Sequence, residues 1–261
     1  VHDSPLFVEA AAQRLECLDV AARNANRPEL LFLHEGLGSV SLWRDFPQRL
    51  AERTGCRAIA YSRAGFGRSS PRTSPYSTGF MHQEAFHVLP ALREKLGIAR
   101  PVLVGHSTGA SMALIHAGFD PSAFPVAGVV AMAPFAYVEE SNLDAIRAAR
   151  DRYGALRERL ARHHDDVDGV FHGWNDVWLD PAFRDWNIDD DLERLRCPVL
   201  AILGDKDEYC TPSQLGRIAD RAARAERLEI ARLPASGHSP QRDEPEVVIE
   251  LIDRFIETLE S

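Results

Sequence analysis

The fold this sequence predicts is a doubly wound, mostly parallel α/β sheet of about eight strands, with one helical insertion after the sixth strand. Three observations lead there. Short apolar runs alternate with helix-length amphipathic stretches along most of the 261 residues, which is the pattern of strands and crossover helices. Several of the runs are apolar at nearly every position, as strands covered on both faces must be. One long stretch, residues 137–196, holds no convincing strand.

Taken in order, Leu6–Glu9 and Gln13–Val20 read as an antiparallel starting pair. Leu30–His34 is the next strand, followed by a helix at Leu42–Arg53, a strand at Arg57–Ser62 and a helix at Phe80–Leu96. The strand Val102–Gly105, the small-residue helix Thr108–Gly118 and the strand Gly128–Ala133 complete the first part. After the insertion come the strand Val199–Leu203, the helix Ser213–Arg224, the strand Leu228–Leu233 and the closing helix Pro245–Leu259. The insertion reads as a charged helix around Asn142–Arg162, then His163-His164-Asp165-Asp166, then a segment with Trp174, Trp178 and Trp186. The expected division is a core of residues 1–136 and 197–261 and a helical cap of residues 137–196. Such a cap would cover the sheet's C-terminal edge, where open α/β sheets bind ligands. Each tryptophan, taken singly, is as well explained by filling the cap's own core.

Composition narrows the partners. With 45% hydrophobic and 26% charged residues, the chain is not a disordered or fibrous protein. A net charge of −9 argues against a polyanion-binding surface, so no nucleic-acid partner is expected. Cys17, Cys56, Cys197 and Cys210 form no CxxC pair and no metal-ligand spacing, which fits reduced, buried thiols. The start, Val1-His2-Asp3-Ser4-Pro5, has no basic segment leading into an apolar one. The longest apolar stretch, Ala123–Val138, is broken by Pro125 and Pro134 and is shorter than the ~18–20 residues of a spanning helix. A cytoplasmic protein with a small-molecule substrate and no membrane partner is the expectation. Oligomeric state leaves no mark on the pattern.

Gly105-His106-Ser107-Thr108-Gly109 fits G-x-S-x-G and lies directly between an apolar strand and a helix. That context suits a nucleophile on a tight strand-to-helix turn, with glycines giving the backbone room to fold sharply. The bland reading of Ser107 is an N-cap. A serine nucleophile needs a base, and the base an orienting acid. Among ten histidines, His238 stands out in the turn-rich loop Ala235-Ser236-Gly237-His238-Ser239-Pro240 after the last strand. For the acid, Asp205, Asp207 and Glu208 compete in Gly204-Asp205-Lys206-Asp207-Glu208 after the strand Val199–Leu203; the G-x-x-D spacing favours Asp207, with Asp205 bonding local amides. Thr108, the residue after the nucleophile, and Gly36, third in the loop His34-Glu35-Gly36-Leu37-Gly38-Ser39, are the expected oxyanion donors. Leu37, Trp43, Trp174 and Trp178 are the expected pocket walls. His106 is grouped with them by its place beside Ser107, although core packing is its ordinary reading. His34 is expected to shape its loop, and His163, His164 and His172 to be solvated.

These pieces together make the chain resemble the α/β-hydrolase fold superfamily over nearly its whole length. The matching stretches are the His34 loop, Tyr61-Ser62-Arg63-Ala64-Gly65-Phe66-Gly67-Arg68-Ser69, the Ser107 elbow, the Asp207 loop and Gly237-His238. Two departures stand out. Family members commonly carry His-Gly where this chain has His34-Glu35, which places a carboxylate beside the site. Ser62-Arg63-Ala64-Gly65 replaces a frequent Asp-x-Arg-Gly, a change of turn bonding.

The resemblance implies an acyl-enzyme on Ser107, released by water that His238 activates, with no metal or organic cofactor. A serine at position 107 sets the chain apart from the dehalogenases and epoxide hydrolases of this fold, which use aspartate. A carboxylic ester is the favoured substrate, ahead of lactones and thioesters. A C–C hydrolase of a dienoic ring-cleavage product is the enzyme rival, and a small-molecule receptor or signalling protein the non-enzyme one. The arginines of residues 147–162, beside Asp151 and Glu158 at helical spacing, read as an ion-paired, solvated face; meeting an anionic substrate is the alternative.

Overall fold

The structure, a computed structural model, describes residues 6–259, so the N-terminal segment read above for targeting lies outside the described residues. Eight strands form one sheet: β1 Leu6–Ala10, β2 Gln13–Val20, β3 Leu30–Leu33, β4 Ala58–Tyr61, β5 Val102–His106, β6 Gly128–Met132, β7 Val199–Gly204 and β8 Leu228–Leu233. Their order is β1-β2-β4-β3-β5-β6-β7-β8. β2 pairs antiparallel with β1 and β4, and every later pairing is parallel.

The wholly apolar strands make sense in this sheet. Side chains alternate between faces along a strand, so each strand feeds two cores. Leu31, Leu33, Leu103, Ala201 and Leu203 enter one; Leu30, Phe32, Val104, Leu200 and Ile202 enter the other. The first core is closed by α2 Phe80–Gln83, α3 Leu89–Leu96, α4 Thr108–Phe119, α8 Asp189–Arg194 and α9 Pro212–Arg221. The second is closed by α1 Phe46–Thr54 and α11 Pro245–Glu257.

Strand positions hold to within a residue or two of expectation, and the differences lie in helices. The stretch read as a helix from Leu42 is a short 3₁₀ turn at Val40–Trp43, with α1 starting only at Phe46. Pro47 sits in the first turn of α1, where its missing N–H costs nothing. α2 and α3 are joined by a wide, π-type turn at Glu84–Val88. Pro90, the second residue of α3, has no N–H to give to the preceding turn. The charged helix is two: α5 Glu140–Asp151 and α6 Tyr153–Leu160, broken at Arg152 just before Gly154. α7 Val167–Leu179 follows, and α10 Pro240–Asp243 comes before α11. Among the described residues, no helix is long and apolar enough to cross a membrane.

Candidate active site

β5 ends at His106 and α4 begins at Thr108, so Ser107 alone makes the turn. Its φ of 56° lies in the left-handed region, a strained place for a residue with a Cβ. The flanking glycines explain how the backbone manages it. A Cβ on Gly105 would come within 2.5 Å of Ala110 Cα, and one on Gly109 within 2.1 Å of the Leu33 carbonyl oxygen. The Ser107 hydroxyl makes no capping bond to α4, which disposes of the N-cap alternative. Instead Ser107 Oγ lies 2.9 Å from His238 Nε2.

His238 Nδ1 is 2.9 Å from each carboxylate oxygen of Asp207. Asp207 also accepts from the backbone N–H groups of Tyr209 (2.8 Å) and Cys210 (2.9 Å). Burial alone would raise the Asp207 carboxyl, but the hydrogen bond and charge of His238 and those two amides together hold it below the usual carboxylate range. An ionised acceptor at Nδ1 fixes the proton there and leaves the Nε2 lone pair facing the serine hydroxyl. Asp205 stands apart, paired with Arg232 at 2.8 Å. Asp207, His238 and Cys210 bring three ligand-type atoms within 4.8 Å. They do not suit a metal: His238 Nδ1 is taken by Asp207, and burial pushes the Cys210 thiol far above its ordinary value, whereas a metal needs the thiolate.

Ser107 and His238 open onto a cavity of about 390 Å³, whose wall includes Gly36, Leu37, Trp174 and Trp178. The loop bearing Gly36 is held from below. The Arg63 guanidinium donates to the carbonyl oxygens of His34 (2.6 Å) and Glu35 (3.0 Å), and the Arg63 N–H donates to His34 Nε2 at 3.1 Å. Burial and then the charge of Arg63 push His34 well below its ordinary value, in keeping with a neutral ring accepting at Nε2. The Gly38 N–H bonds to the Glu35 carbonyl. Thr108 opens α4, whose first backbone bond runs from Ala110 N–H to the Ser107 carbonyl, so the Thr108 N–H precedes the helical ladder.

Three sequence expectations are corrected. Trp43 does not wall the cavity; it is buried on the opposite face of the sheet, edge-on to Phe32 at 5.3 Å and beside Phe46. His106 does not either. Its Nε2 donates to the His238 carbonyl at 2.6 Å and its Nδ1 lies 3.1 Å from the Gln241 amide nitrogen, so it steadies the histidine loop from inside. His164 is buried rather than solvated, accepting from Gly67 N–H and donating to the Leu37 carbonyl, both at 3.0 Å. Burial pushes it down to about 4. The sequence reading also missed residues. Phe135 and Tyr209 line the cavity within 6.1 and 4.7 Å of the His238 ring. Their signal was position, just past the C-terminal ends of β6 and β7.

The sequence profile of the Alpha/beta hydrolase family matches residues 30–251. The chain is 24% identical to an sn-1-specific diacylglycerol lipase of Mus musculus, over 89% of this chain and 82% of that protein. It is 25% identical to the esterase Rv0045c of Mycobacterium tuberculosis, over 88% and 83% respectively. Its fold is similar to that of a proline iminopeptidase of Mycobacterium smegmatis, with a TM-score of 0.77 at 20% identity and 98% of each chain covered.

Proposed function

The chain belongs to the alpha/beta hydrolase family, and from that premise we propose that it is a serine hydrolase of small carboxylic esters. The observation that carries the reading is the hydrogen-bonded line Asp207–His238–Ser107 opening onto the cavity. His238 Nε2 takes the Ser107 proton as Oγ attacks the ester carbonyl. The negative charge formed on the carbonyl oxygen is met by the backbone N–H groups of Thr108 and Gly36. Each such donor is worth about 10²–10³ in rate. His238 then protonates the leaving alcohol, and water, deprotonated by the same nitrogen, releases the acid.

The test is turnover on 4-nitrophenyl esters of graded acyl length, beside lactones, acyl thioesters and a dienoic C–C substrate. Ester turnover above the others supports the reading. A preference for the C–C substrate moves the assignment to that class, and no turnover on any favours a receptor.

Residues 137–196 act in this proposal as a cap that selects the acyl group. α7 presents Trp174 and Trp178 to the cavity, while Trp186 stacks on Phe183 at 5.2 Å. Trp178→Ala should therefore reorder the acyl-length preference. Trp186→Ala should lower the melting temperature and leave that order alone. Equal rank orders in wild type and both variants would remove the selecting role.

Gly36 gives a further expectation. A Cβ there would lie 2.3 Å from Trp174 Nε1, so Gly36→Ala must displace either the indole or the loop. We expect kcat/KM to fall about tenfold or more, by loosening an oxyanion donor. Steady-state kinetics on the best ester checks this, and an unchanged value would take Gly36 out of the site.

A further inference from the structure

The wall of the same cavity carries four arginines, Arg44, Arg159, Arg162 and Arg242, against one carboxylate, Glu35. That is an anomaly in a chain of net charge −9. Several arginines elsewhere are matched: Arg147 with Glu140 and Asp144, Arg157 with Asp168, Arg217 with Asp189, Arg232 with Asp205. Arg100, Arg150, Arg224 and Arg254 have no ion pair among the described residues, but they lie away from the cavity. Along the charged segment Arg147 and Arg157 are ion-paired, but with Glu140, Asp144 and Asp168 and not with Asp151 or Glu158. Arg150, Arg152, Arg159 and Arg162 have no ion pair among the described residues. Among the described residues, Arg44, Arg159 and Arg162 have neither an ion pair nor a side-chain hydrogen bond.

Three separate elements bring these cations together. Arg44 follows the 3₁₀ turn after β3, Arg159 and Arg162 come from the end of α6, and Arg242 lies in α10, four residues past His238. A helix-end counter-charge would account for Arg159. Arg242 also sits in a last turn and Arg44 caps the 3₁₀ turn, but those elements have only four residues each and little dipole to offset. Arg44 holds a φ of 55°, a strained conformation of the kind that persists at functional sites. Arg242 reaches Glu35 at 3.2 Å and the Leu42 carbonyl at 2.9 Å, yet its Nε is buried with no partner. His163, also in the wall, is pushed below its ordinary value by burial and then by the charges of Arg242, Arg162 and Arg44, with Arg68 adding to them. Arg242 and three unmatched planar cations around a cavity are the complement of a carboxylate or phosphate.

We propose that the cavity takes an anionic ester, a small substrate carrying a carboxylate or phosphate that Arg44, Arg159, Arg162 and Arg242 bind while Ser107 faces the ester carbonyl. This rests on the ester-cleaving reading above. It also gives the local positive field a use, since such a patch draws anions to an otherwise acidic protein.

Matched ester pairs test it. One pair is the mono-4-nitrophenyl ester of adipic acid against 4-nitrophenyl hexanoate; the other carries the charge on the alcohol side, 4-carboxyphenyl hexanoate against phenyl hexanoate. In at least one pair, kcat/KM should favour the anionic ester by about tenfold or more at low salt. The advantage should shrink as salt screens it. Arg44→Gln and Arg162→Gln, both at exposed positions, should each cut the ratio several-fold. In parallel, adipate and hexyl phosphate at constant ionic strength should raise the melting temperature of wild type more than of the double variant, and the larger shift names the anion. Neutral esters turned over as fast as anionic ones, with ratios unmoved by the variants, overturn the proposal while leaving ester cleavage standing. If no ester is turned over, the ester reading falls and the melting shifts alone decide: a shift lost in the double variant supports the anion site, and no shift sinks it.

Discussion

Replacing Ser107 with alanine is expected to lower kcat on the best ester by roughly 10⁵–10⁶, the scale on which loss of a triad nucleophile acts. The fold should survive the change. Alanine keeps the Cβ, so the left-handed φ of 56° is no more strained than in wild type. The lost hydroxyl bonds to His238 and does not cap α4, so no helix end is undone. A near-wild-type melting temperature beside a collapsed rate is the signature to look for. A fluorophosphonate should label wild type once, at Ser107, and the variant not at all. Full activity in the folded variant, or labelling at another residue with loss of activity, would place the nucleophile elsewhere.

The elbow was legible because its requirements are local. A strand, a sharp turn and a helix succeed one another within a dozen residues, and only glycine fits where Gly105 and Gly109 meet neighbouring backbone. The sheet was legible for a related reason: strands buried on both faces leave an unbroken apolar run. What failed were inferences from a residue's place in the chain to the direction of its side chain. Trp43 ends the 3₁₀ turn beside cavity-lining Ser41 and Leu42, yet its ring goes to the far core. His163 and His164 are neighbours with opposite fates, one in the cavity wall and one buried between Gly67 and Leu37. The two histidines' outcomes depend on partners about a hundred residues away, and no local pattern encodes them. The cationic wall was hidden in the same way, because Arg44, Arg162 and Arg242 are far apart in sequence and meet only when α6 and α10 come to one cavity.

Asp207→Asn should cut kcat by about three to four orders of magnitude, while Asp205→Asn should leave it within a few-fold. The asymmetry follows from what each carboxylate holds. Asp207 accepts from His238 Nδ1 and from two backbone amides, whereas Asp205 meets an exposed Arg232. An asparagine at 207 can keep the amides only by turning its own N–H groups toward the imidazole. That favours the tautomer protonated at Nε2, which cannot take the serine proton, and leaves any imidazolium unsupported. The same residue also predicts an acid-range effect on stability. Its folded-state pKa lies below the ordinary Asp value of about 3.9, so the ionised side chain contributes stability above that value. The contribution is lost as pH falls through the folded-state pKa. The gap in melting temperature between wild type and Asp207→Asn should therefore close below about pH 4. Both readings are needed, because a merely structural aspartate would show the closing gap without the collapse in rate. If Asp205→Asn proves the more damaging variant, the acid is misassigned; if the gap does not close below about pH 4, His238 and the two amides do not hold the carboxylate ionised, and the orienting role argued for Asp207 goes with it.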